Sequence, residues 1–458
     1  MLFPLPLTPF ERYYLADDSP DYPTTIPVEV VLSGELEEAA FRRALRLNVA
    51  RHPLLHALVA DGPTGLQWIG CESAEPWLDW APEGTLIGHP DGEYIDLRKA
   101  PGLRVWVRAS TSEARLLIQL HHACCDGVST LQFIGDLMAY YTAEQQGLAP
   151  ESVLATLPLE RLRDREAVDA GDSRAMSFFT GLRDSWVTAR VWGRVLLRRC
   201  AVLAPPDRRD HRIASPTQPI ASREFLAFET HVLTAEQTQQ LKKAAAARSV
   251  TANDLLLRDA LVVIRDWNLA GGARRVGACR INMPVYVRGR GVPPMPASNG
   301  IGFSFVTVNP DRHSDDAILT EVHEQTQQIK QWKLALYFLG GLAAASNYPS
   351  IIRWTLGRRR PFATFVLSNL AQALAVSPLP RRADGCLICG NVVLEHVAGV
   401  PPVRPLTRAS MVVLEYGGRL AIALRCDAHL FRTADTRALL DQYVAQVCAS
   451  HGSLWCDV

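Results

Sequence analysis

The chain has 458 residues, with 48 basic against 47 acidic side chains, 48% hydrophobic residues and 21% charged residues. This length exceeds the usual limit of a single hydrophobic core, so we expect two domains of roughly 200 residues each. The balanced charge gives no indication of nucleic acid as a partner, and the composition is that of a globular protein rather than a disordered chain.

The first 150 residues predict an alternation of helices and strands. Residues 8–11, Thr-Pro-Phe-Glu, form a capping box that predicts a helix to about Leu15. Apolar residues at helical spacing in 41–49 predict a second helix, which ends before Pro53. The predicted strands are 28–32, 103–107 and 116–120, with the last two antiparallel.

The stretch 121–127, His-His-Ala-Cys-Cys-Asp-Gly, lies where the strand 116–120 becomes a helix that Gly147 closes. Adjacent residues of a strand point to opposite faces, so His121 and His122 cannot line the same cavity. One imidazole should have a chemical role, because it can accept and return a proton near neutral pH. The other should have a structural role. The aspartate can brace the turn through a charged partner, and the glycine lets the backbone approach another segment closely.

Residues 151–222 differ from the rest, because arginines crowd them and proline pairs close them. We predict a helical crossover and linker. These basic residues could bind an acidic carrier protein, a coenzyme phosphate or a membrane surface. The favoured interpretation is a helix face exposed to solvent. The arginines are at positions 161, 163, 165, 183, 190, 194, 198, 199, 208, 209 and 212.

The second half continues the α/β pattern without internal repeats. Thr234 opens a capping box with Gln237, and Thr251 caps the following helix. The predicted strands are 224–233, 275–285, 304–308, 364–369, 411–416 and 420–425. The predicted helices are 234–248, the one that Thr251 opens, 316–337 and 433–449.

The location of the protein is predicted from what the sequence does not contain. Ten cysteines are scattered without the spacing of a disulfide framework, so reduced thiols are expected. The chain start has two prolines and no basic region before an apolar run, which argues against a secretory signal. No stretch offers about 18 uninterrupted apolar residues, so no membrane span is indicated. We therefore expect a cytoplasmic protein.

An ordered set of segments resembles the superfamily with the chloramphenicol acetyltransferase-like fold. It includes condensation domains of nonribosomal peptide synthetases, wax ester synthase and diacylglycerol acyltransferase-type enzymes, and polyketide-associated acyltransferases. Signatures of individual subfamilies, such as Asp-Phe-Gly-Trp-Gly, are absent, so the subfamily stays open. The segments that carry the resemblance are 6–11, 51–55, the HHxxxDG of 121–127, 251–257, 283–285 with Arg288, and 367–369.

The resemblance implies an α/β fold in which two chloramphenicol acetyltransferase-like subdomains form a V-shaped pseudo-dimer. A tunnel would run between them, with the HHxxxDG motif at its middle. On this basis we expect an N-terminal subdomain in 1–150, the basic helical crossover in 151–222, and a C-terminal subdomain in 223–458.

The resemblance also implies roles for individual residues. His122, the second histidine of the motif, would be the general base, with His121 turned toward the core. Asp126, which precedes Gly127, would pair with Arg288 from the second subdomain and hold the motif loop. Asn253, Ser368 and Asn369 are expected at the tunnel or the oxyanion position, with Ser368 as the oxyanion donor.

The implied activity is acyl transfer from a thioester to a hydroxyl or amine, which forms an ester or an amide. The donor would be acyl-CoA or a phosphopantetheinyl thioester, the acceptor a small molecule, and an acyl or peptidyl carrier protein is a further candidate partner. No permanently bound cofactor is expected. The alternative is a condensation-domain-like module that docks a carrier protein without catalysis.

Other motifs receive structural interpretations. Zinc at 121–126 is disfavoured because neighbouring residues point in opposite directions, so no metal is expected. The lone CxxC of 386–389, near His396, is interpreted as a strand with two buried thiols. The run 358–360, Arg-Arg-Arg, is interpreted as a solvated loop rather than a phosphate site. Ser129 lacks the glycine of a nucleophile elbow, and Gly289-Arg290-Gly291 lacks the context of a dinucleotide site.

Overall fold

The computed structural model describes residues 2–63, 65–72, 75–166, 182–206, 225–288, 294–346 and 360–450. These residues form a mixed α/β structure with two six-stranded sheets and one three-stranded sheet. The predicted arginines 208, 209 and 212, the first two residues of the 358–360 run and the 289–291 stretch lie outside the described residues.

The first six-stranded sheet has the order β12-β13-β2-β7-β6-β5. The pair β2 and β7 runs antiparallel in unbroken register from Thr25 opposite His121 to Ser33 opposite Glu113. Most residues of the central strands β2, β7 and β6 are buried or partly buried. The strand bounds are β2 Thr25–Ser33, β5 Leu78–Pro82, β6 Leu103–Ala109, β7 Glu113–His121, β12 Leu387–Cys389 and β13 Val392–Gly399.

The second six-stranded sheet has the order β10-β9-β11-β14-β15-β8. Strand β11 runs parallel to both of its neighbours, and the other pairs are antiparallel. The bounds are β8 Glu229–Leu233, β9 Cys279–Tyr286, β10 Ile301–Val308, β11 Phe365–Gln372, β14 Ala409–Tyr416 and β15 Arg419–Cys426. The small sheet joins β1 Leu5–Pro6, β4 Gly65–Gly70 and β3 Ala57–Gly62.

The helices cover the sheets and connect them. Their bounds are α1 Pro9–Asp17, α2 Glu38–Arg51, α3 Gly127–Gln146, α4 Pro150–Val153, α5 Leu182–Leu197, α6 Ala235–Ala247, α7 Ala252–Ala270, α8 Asp315–Gln331, α9 Leu334–Ser346 and α10 Thr433–Ser450. The described residues include no helix that is both long enough and apolar enough to cross a bilayer.

The local start and stop signals of the helices are confirmed. Thr8, Thr234 and Thr251 each form the reciprocal hydrogen bonds of a capping box. Gly147 closes α3 with φ of 64°, a left-handed conformation that glycine adopts at little cost. The thiols of the CxxC are also buried beside β12, as the strand interpretation predicted.

Several details predicted from the sequence are wrong. The predicted helix 316–337 is two helices, because Lys333 adopts a φ of 48° between them and turns apolar α9 onto β10. Strand β8 begins at Glu229 rather than at residue 224, β9 at Cys279 rather than at residue 275, and β10 at Ile301 rather than at residue 304. Cys448 is disulfide-bonded rather than reduced.

The first sheet also takes strands from the C-terminal half of the chain. Strand β13 pairs antiparallel with β2, where Val397 lies opposite Val30, and β12 extends the sheet beyond it. Residues 1–150 therefore do not complete this sheet alone. The division into 1–150, 151–222 and 223–458 stays a prediction.

A buried ion pair fastens α1 to the small sheet and to residue 165. Glu11 and Arg165 have side chains that are 1% and 3% exposed, with Arg165 Nε 2.7 Å from Glu11 Oε1. Trp68 Nε1 and the Thr8 amide also donate to Glu11 Oε2, each at 2.9 Å. Arg165 donates further to the Pro6 carbonyl at 2.6 Å. This network fixes the start of the chain beneath the site described below.

We predict that Arg165→Met lowers the free energy of unfolding by about 3–5 kcal/mol, because it leaves a buried carboxylate without its cation. Arg42→Met is the matched control, since Arg42 is 43% exposed and pairs with Glu38 one helical turn away. The control should change the free energy by less than about 1 kcal/mol. Urea titration of both variants checks this. Equal stability of the two variants would contradict the prediction.

Candidate active site

The HHxxxDG motif lies at the end of β7, in the turn that leads into α3. The His122 amide donates to the Thr24 carbonyl at 2.8 Å, which continues the β2–β7 pairing by one residue. Asp126 is the N-cap of α3, and its Oδ1 accepts from the Ser129 amide at 2.8 Å. The strand and the cap together fix both ends of the turn.

The structure places His121 in the core. Its side chain is fully buried, and its Nδ1 accepts from the Ala123 amide at 3.1 Å. The ring proton must then be on Nε2, which lies 3.2 Å from Asp18 Oδ2 and donates to it. Both ring nitrogens of His121 are thus occupied by protein partners.

His122 lines two cavities. The aromatic cavity, bounded by Tyr13, Tyr14, Trp192, Phe303, Phe305, Phe338 and Phe362 among others, has about 960 Å³, counting space open to solvent. The aliphatic cavity, bounded by Ile26, Val28, Leu131, Leu370, Val397 and Val412 among others, has about 750 Å³ on the same basis. The two cavities share His122, Pro284, Ile301 and Pro401. A group that enters either cavity can therefore approach the same imidazole.

Tyr14 contacts the His122 ring directly. The Tyr14 hydroxyl lies 3.1 Å from His122 Nε2, and the two rings stack with centroids 4.1 Å apart. Burial raises the pKa of Tyr14 well above its usual value, so the phenol keeps its proton. When the imidazole carries its proton on Nδ1, the phenol O–H donates to Nε2. Tyr14 could not be predicted from the sequence, because nothing in α1 marks which residue faces a turn more than 100 positions away.

His122 is neutral at physiological pH. Burial lowers its pKa to about 4, and the carboxylate of Asp126 acts in the opposite direction. Its Nδ1 is buried and has no hydrogen-bond partner among the described residues. A neutral imidazole with a basic Nε2 is the protonation state that proton abstraction requires.

The segment 298–300, just before β10, holds the motif turn. Asp126 Oδ2 accepts from the Gly300 amide at 2.6 Å, and Ser129 Oγ donates to the Ser298 carbonyl at 2.7 Å. Asn299 Nδ2 donates to the carbonyls of both His122 and its neighbour Ala123, each at 2.9 Å. We call these bonds the latch. They join the second half of the chain to the backbone of the motif.

The predicted direct pair of Asp126 and Arg288 is wrong. Among the described residues, the two form no ion pair, and each carboxylate oxygen of Asp126 accepts a backbone amide. Arg288 instead donates to Ser298 Oγ at 2.9 Å and to the Asn299 carbonyl at 2.7 Å. A Cβ on Gly300 would lie 2.9 Å from the Arg288 guanidinium carbon, so a larger residue there would displace the Arg288 side chain. Arg288 thus stabilises the latch through its hydrogen bonds to Ser298 and Asn299.

The structure brings the other predicted residues to one side of the site. Ser368 and Asn369 line the aliphatic cavity with His122. Asn369 Nδ2 donates to Asn253 Oδ1 at 3.1 Å, and its Oδ1 accepts from the Ala371 amide. Asn253 is absent from the residues that bound either cavity, so it contacts the site through Asn369.

Gly127 makes the close approach that the sequence predicted for it. A Cβ at this position would lie 3.0 Å from a methyl carbon of Leu370, on the strand that carries Ser368.

The two cysteines of the motif, Cys124 and Cys125, are fully buried, and burial raises the pKa of the Cys125 thiol to about 12. Protonated thiols are poor metal ligands.

Comparison with known proteins gives no match to a family model. A linear gramicidin synthase of Brevibacillus parabrevis is 28% identical over 163 residues, which are 32% of this chain and 2% of that protein. The chain therefore spans a small part of that relative. The uncharacterized protein Rv2305 of Mycobacterium tuberculosis is 26% identical over 389 residues, which are 82% of this chain and 83% of that protein.

Solved structures match the whole chain. The first condensation domain of the calcium-dependent antibiotic synthetase, in complex with a substrate analogue, superposes with a TM-score of 0.67 and 16% identity over 99% of this chain and 97% of its own. A mutant form of the starter condensation domain of rhizomide synthetase RzmA, in complex with C8-CoA, superposes with a TM-score of 0.64 and 12% identity. This match covers 98% of this chain and 95% of the RzmA chain. The chain therefore has the condensation-domain fold, which is built from two chloramphenicol acetyltransferase-like subdomains.

Proposed function

We propose that the protein is an acyltransferase that moves an acyl group from a thioester to a hydroxyl or amine, with His122 as the general base. The observation that carries the proposal is that one neutral, buried imidazole bounds two cavities. Two substrates held in those cavities would meet at Nε2, and such positioning supplies a large part of the rate in reactions between two substrates.

In the proposed reaction, the acceptor O–H or N–H gives its proton to His122 Nε2 while the acceptor atom attacks the thioester carbonyl. A C–O or C–N bond forms, the C–S bond breaks, and the imidazolium returns the proton to the departing thiolate. The products are an ester or amide and a free thiol. The reaction needs no covalent acyl-enzyme.

Each neighbour of His122 has a role in this proposal. The Tyr14 hydroxyl holds Nε2 in place until the acceptor replaces it or shares its hydrogen bond. The charge of Asp126 stabilises the transient imidazolium, because a nearby carboxylate favours the protonated form. Asn299 fixes the backbone on which the imidazole is mounted. Ser368 is the proposed oxyanion donor, a type of contact that is worth about 3 kcal/mol in the transition state.

The similar structures support a thioester donor. The RzmA starter condensation domain is described in complex with C8-CoA. We propose that this chain takes acyl-CoA or the phosphopantetheinyl thioester of a carrier protein, and that residues 1–150 and 223–458 correspond to the two subdomains with a tunnel between them. Because the chain matches only a small part of the linear gramicidin synthase, the activity of that whole synthetase is not implied.

We predict that His122→Ala reduces product formation by about 10²- to 10⁴-fold, the usual contribution of a positioned general base. The measurement is mass spectrometry of products from candidate donors and acceptors. His313→Ala is the control, since His313 is a half-exposed histidine outside both cavities, and it should retain full turnover. Unchanged turnover in His122→Ala would refute the proposed role.

The acid limb of the pH–rate profile should report the lowered pKa of His122. The neutral imidazole is the active form, so kcat/KM should stay constant as pH falls through 6.5, the unperturbed value, and decline only near pH 4. Circular dichroism at each pH separates this limb from unfolding. An acid limb centred at about 6.5 in folded protein would show that His122 is solvated or is not the base.

A second candidate, a non-catalytic module that docks a carrier protein, is favoured by the exposed face of α5. Trp186, Arg190 and Arg194 lie four residues apart on this face, which Arg198 extends. The described residues supply no acidic partner for these arginines, and the Arg190 guanidinium stacks over Trp186 at 5.2 Å. Such a row of like charges attracts an anionic surface.

The orientation of this arginine face is fixed from inside. Arg280 is 1% exposed, and it donates to the carbonyls of Arg194 at 3.0 Å, Val195 at 3.1 Å and Arg198 at 3.2 Å. These are the carbonyls that a helix C-terminus leaves unpaired. The end of α5 is therefore anchored to β9, which leaves the arginine side chains on the surface.

If carrier docking is a function of this face, Arg194→Glu and Arg198→Glu should each weaken the binding of an acyl carrier protein, and added salt should weaken wild-type binding. Titration calorimetry measures both. Arg248→Glu, at an exposed helix end elsewhere, is the control and should bind normally. Carrier binding without product from any thioester favours the module over the enzyme. Binding that both charge reversals leave intact contradicts docking at α5.

A further inference from the structure

The two cavities differ in the chemistry of their walls. Of the twenty residues that bound each cavity, seven are Phe, Tyr or Trp in the aromatic cavity and one, Tyr286, in the aliphatic cavity. Twelve of the residues that bound the aliphatic cavity are instead Val, Leu, Ile or Gly. Two substrates of the same kind would not require walls of different composition, because burial of apolar area stabilises aromatic and aliphatic groups alike.

The rings of the aromatic cavity form a connected cluster around Phe338 of α9. Trp192 of α5 stacks on Phe338 with centroids 4.7 Å apart and planes 12° from parallel. Phe303 and Phe305 of β10 meet the same ring at 5.2 Å and 5.9 Å, in tilted geometry. A cluster with both stacked and tilted rings presents faces and edges to a further ring.

A polar group in the same wall has no partner. Asn282 of β9 is 9% exposed, and its Oδ1 is buried without a hydrogen bond to any described residue. The side chain bounds the aromatic cavity, because the alternation of β9 sends Ile281 and Met283 into the opposite core. A buried amide oxygen without a partner costs free energy, and a ligand that donates a hydrogen bond to it recovers that cost. Arg404 and Asp17, in this same wall, form an ion pair with each other.

The direction in which His122 Nε2 points indicates which substrate occupies the aromatic cavity. Nε2 faces Tyr14, which bounds the aromatic cavity and is absent from the wall of the aliphatic cavity. Because Nε2 takes the acceptor proton in the proposed reaction, the acceptor must lie on this side. We propose that the acceptor is an aromatic alcohol or amine whose ring joins the Phe338 cluster and whose further polar group bonds to Asn282. This inference rests on the proposed acyl transfer, and the aliphatic cavity then holds the acyl group.

The experiment uses direct binding without a donor, so that it does not depend on turnover. Two alcohols of similar size, 2-phenylethanol and 2-cyclohexylethanol, are titrated into the full chain and followed by saturation-transfer NMR. The phenyl compound should bind about two- to twelvefold more tightly, the factor that corresponds to the extra attraction of aromatic pairs. Tighter or equal binding of the cyclohexyl compound would overturn the inference.

Variants test whether the preference for the phenyl compound arises in the aromatic cavity. Phe338→Leu should remove it, whereas Trp332→Leu, which deletes a 58% exposed ring outside both cavities, should keep it. Ala345→Trp should block phenyl binding by filling the aromatic cavity, and Val128→Trp, which fills the aliphatic cavity, should not. Circular dichroism confirms that each variant is folded. A preference that survives in both Phe338→Leu and Ala345→Trp contradicts the assignment.

The outcome separates this inference from the proposed function. An aromatic preference that persists in His122→Ala, together with no product from any donor, would leave the aromatic site standing and refute acyl transfer. Products that form equally well from phenyl and cyclohexyl acceptors would leave acyl transfer standing and refute the aromatic site.

Discussion

The two bonds of the Asp126 carboxylate are the constraint on which the site depends. One oxygen caps α3 through the Ser129 amide, and the other accepts the Gly300 amide from the far half of the chain. Charge-assisted bonds of this kind are stronger than neutral ones, and a buried carboxylate that lost either donor would be left unsatisfied. The segment 298–300 therefore stabilises the turn that carries His122.

This arrangement explains how a single imidazole can bound two cavities. His121 is committed to Asp18 in the core, so the alternation of the strand turns its neighbour toward the interface of the two halves. The same burial that isolates His122 also lowers its pKa and keeps it neutral. Tyr14, brought in by α1, then occupies Nε2. Three parts of the chain, far apart in sequence, determine the protonation state of one ring.

The sequence predicted the elements whose signals are local and missed the features that depend on distant contacts. The capping boxes at Thr8, Thr234 and Thr251 involve four consecutive residues each, so they are readable without a fold. The break at Lys333 is not readable in this way, because an ordinary residue takes a left-handed conformation only where packing of α9 requires it. The strand β13 likewise has the pattern of any buried strand, and nothing in it specifies pairing with β2.

The site shows the same division. The resemblance supplied His122 and the associated motif positions, but a pairwise rule could not anticipate that Asp126 and Arg288 act on opposite sides of the 298–300 backbone. The hydrogen bonds of Asn299 to the motif carbonyls were invisible for a similar reason, since a side-chain amide bonds to whatever backbone the fold presents. Cavity walls are also a product of packing, so their aromatic and aliphatic characters emerged only with the structure.

His122 is proposed to serve two substrates that approach from two chemically different cavities. The most direct measurement is an experimental structure with an unreactive analogue that joins an aromatic acceptor to an aliphatic acyl chain. We predict the ring in the aromatic cavity, the chain in the aliphatic cavity, and the linking heteroatom about 3 Å from His122 Nε2. Both ends in one cavity, or a linker beyond hydrogen-bond reach of Nε2, would contradict it.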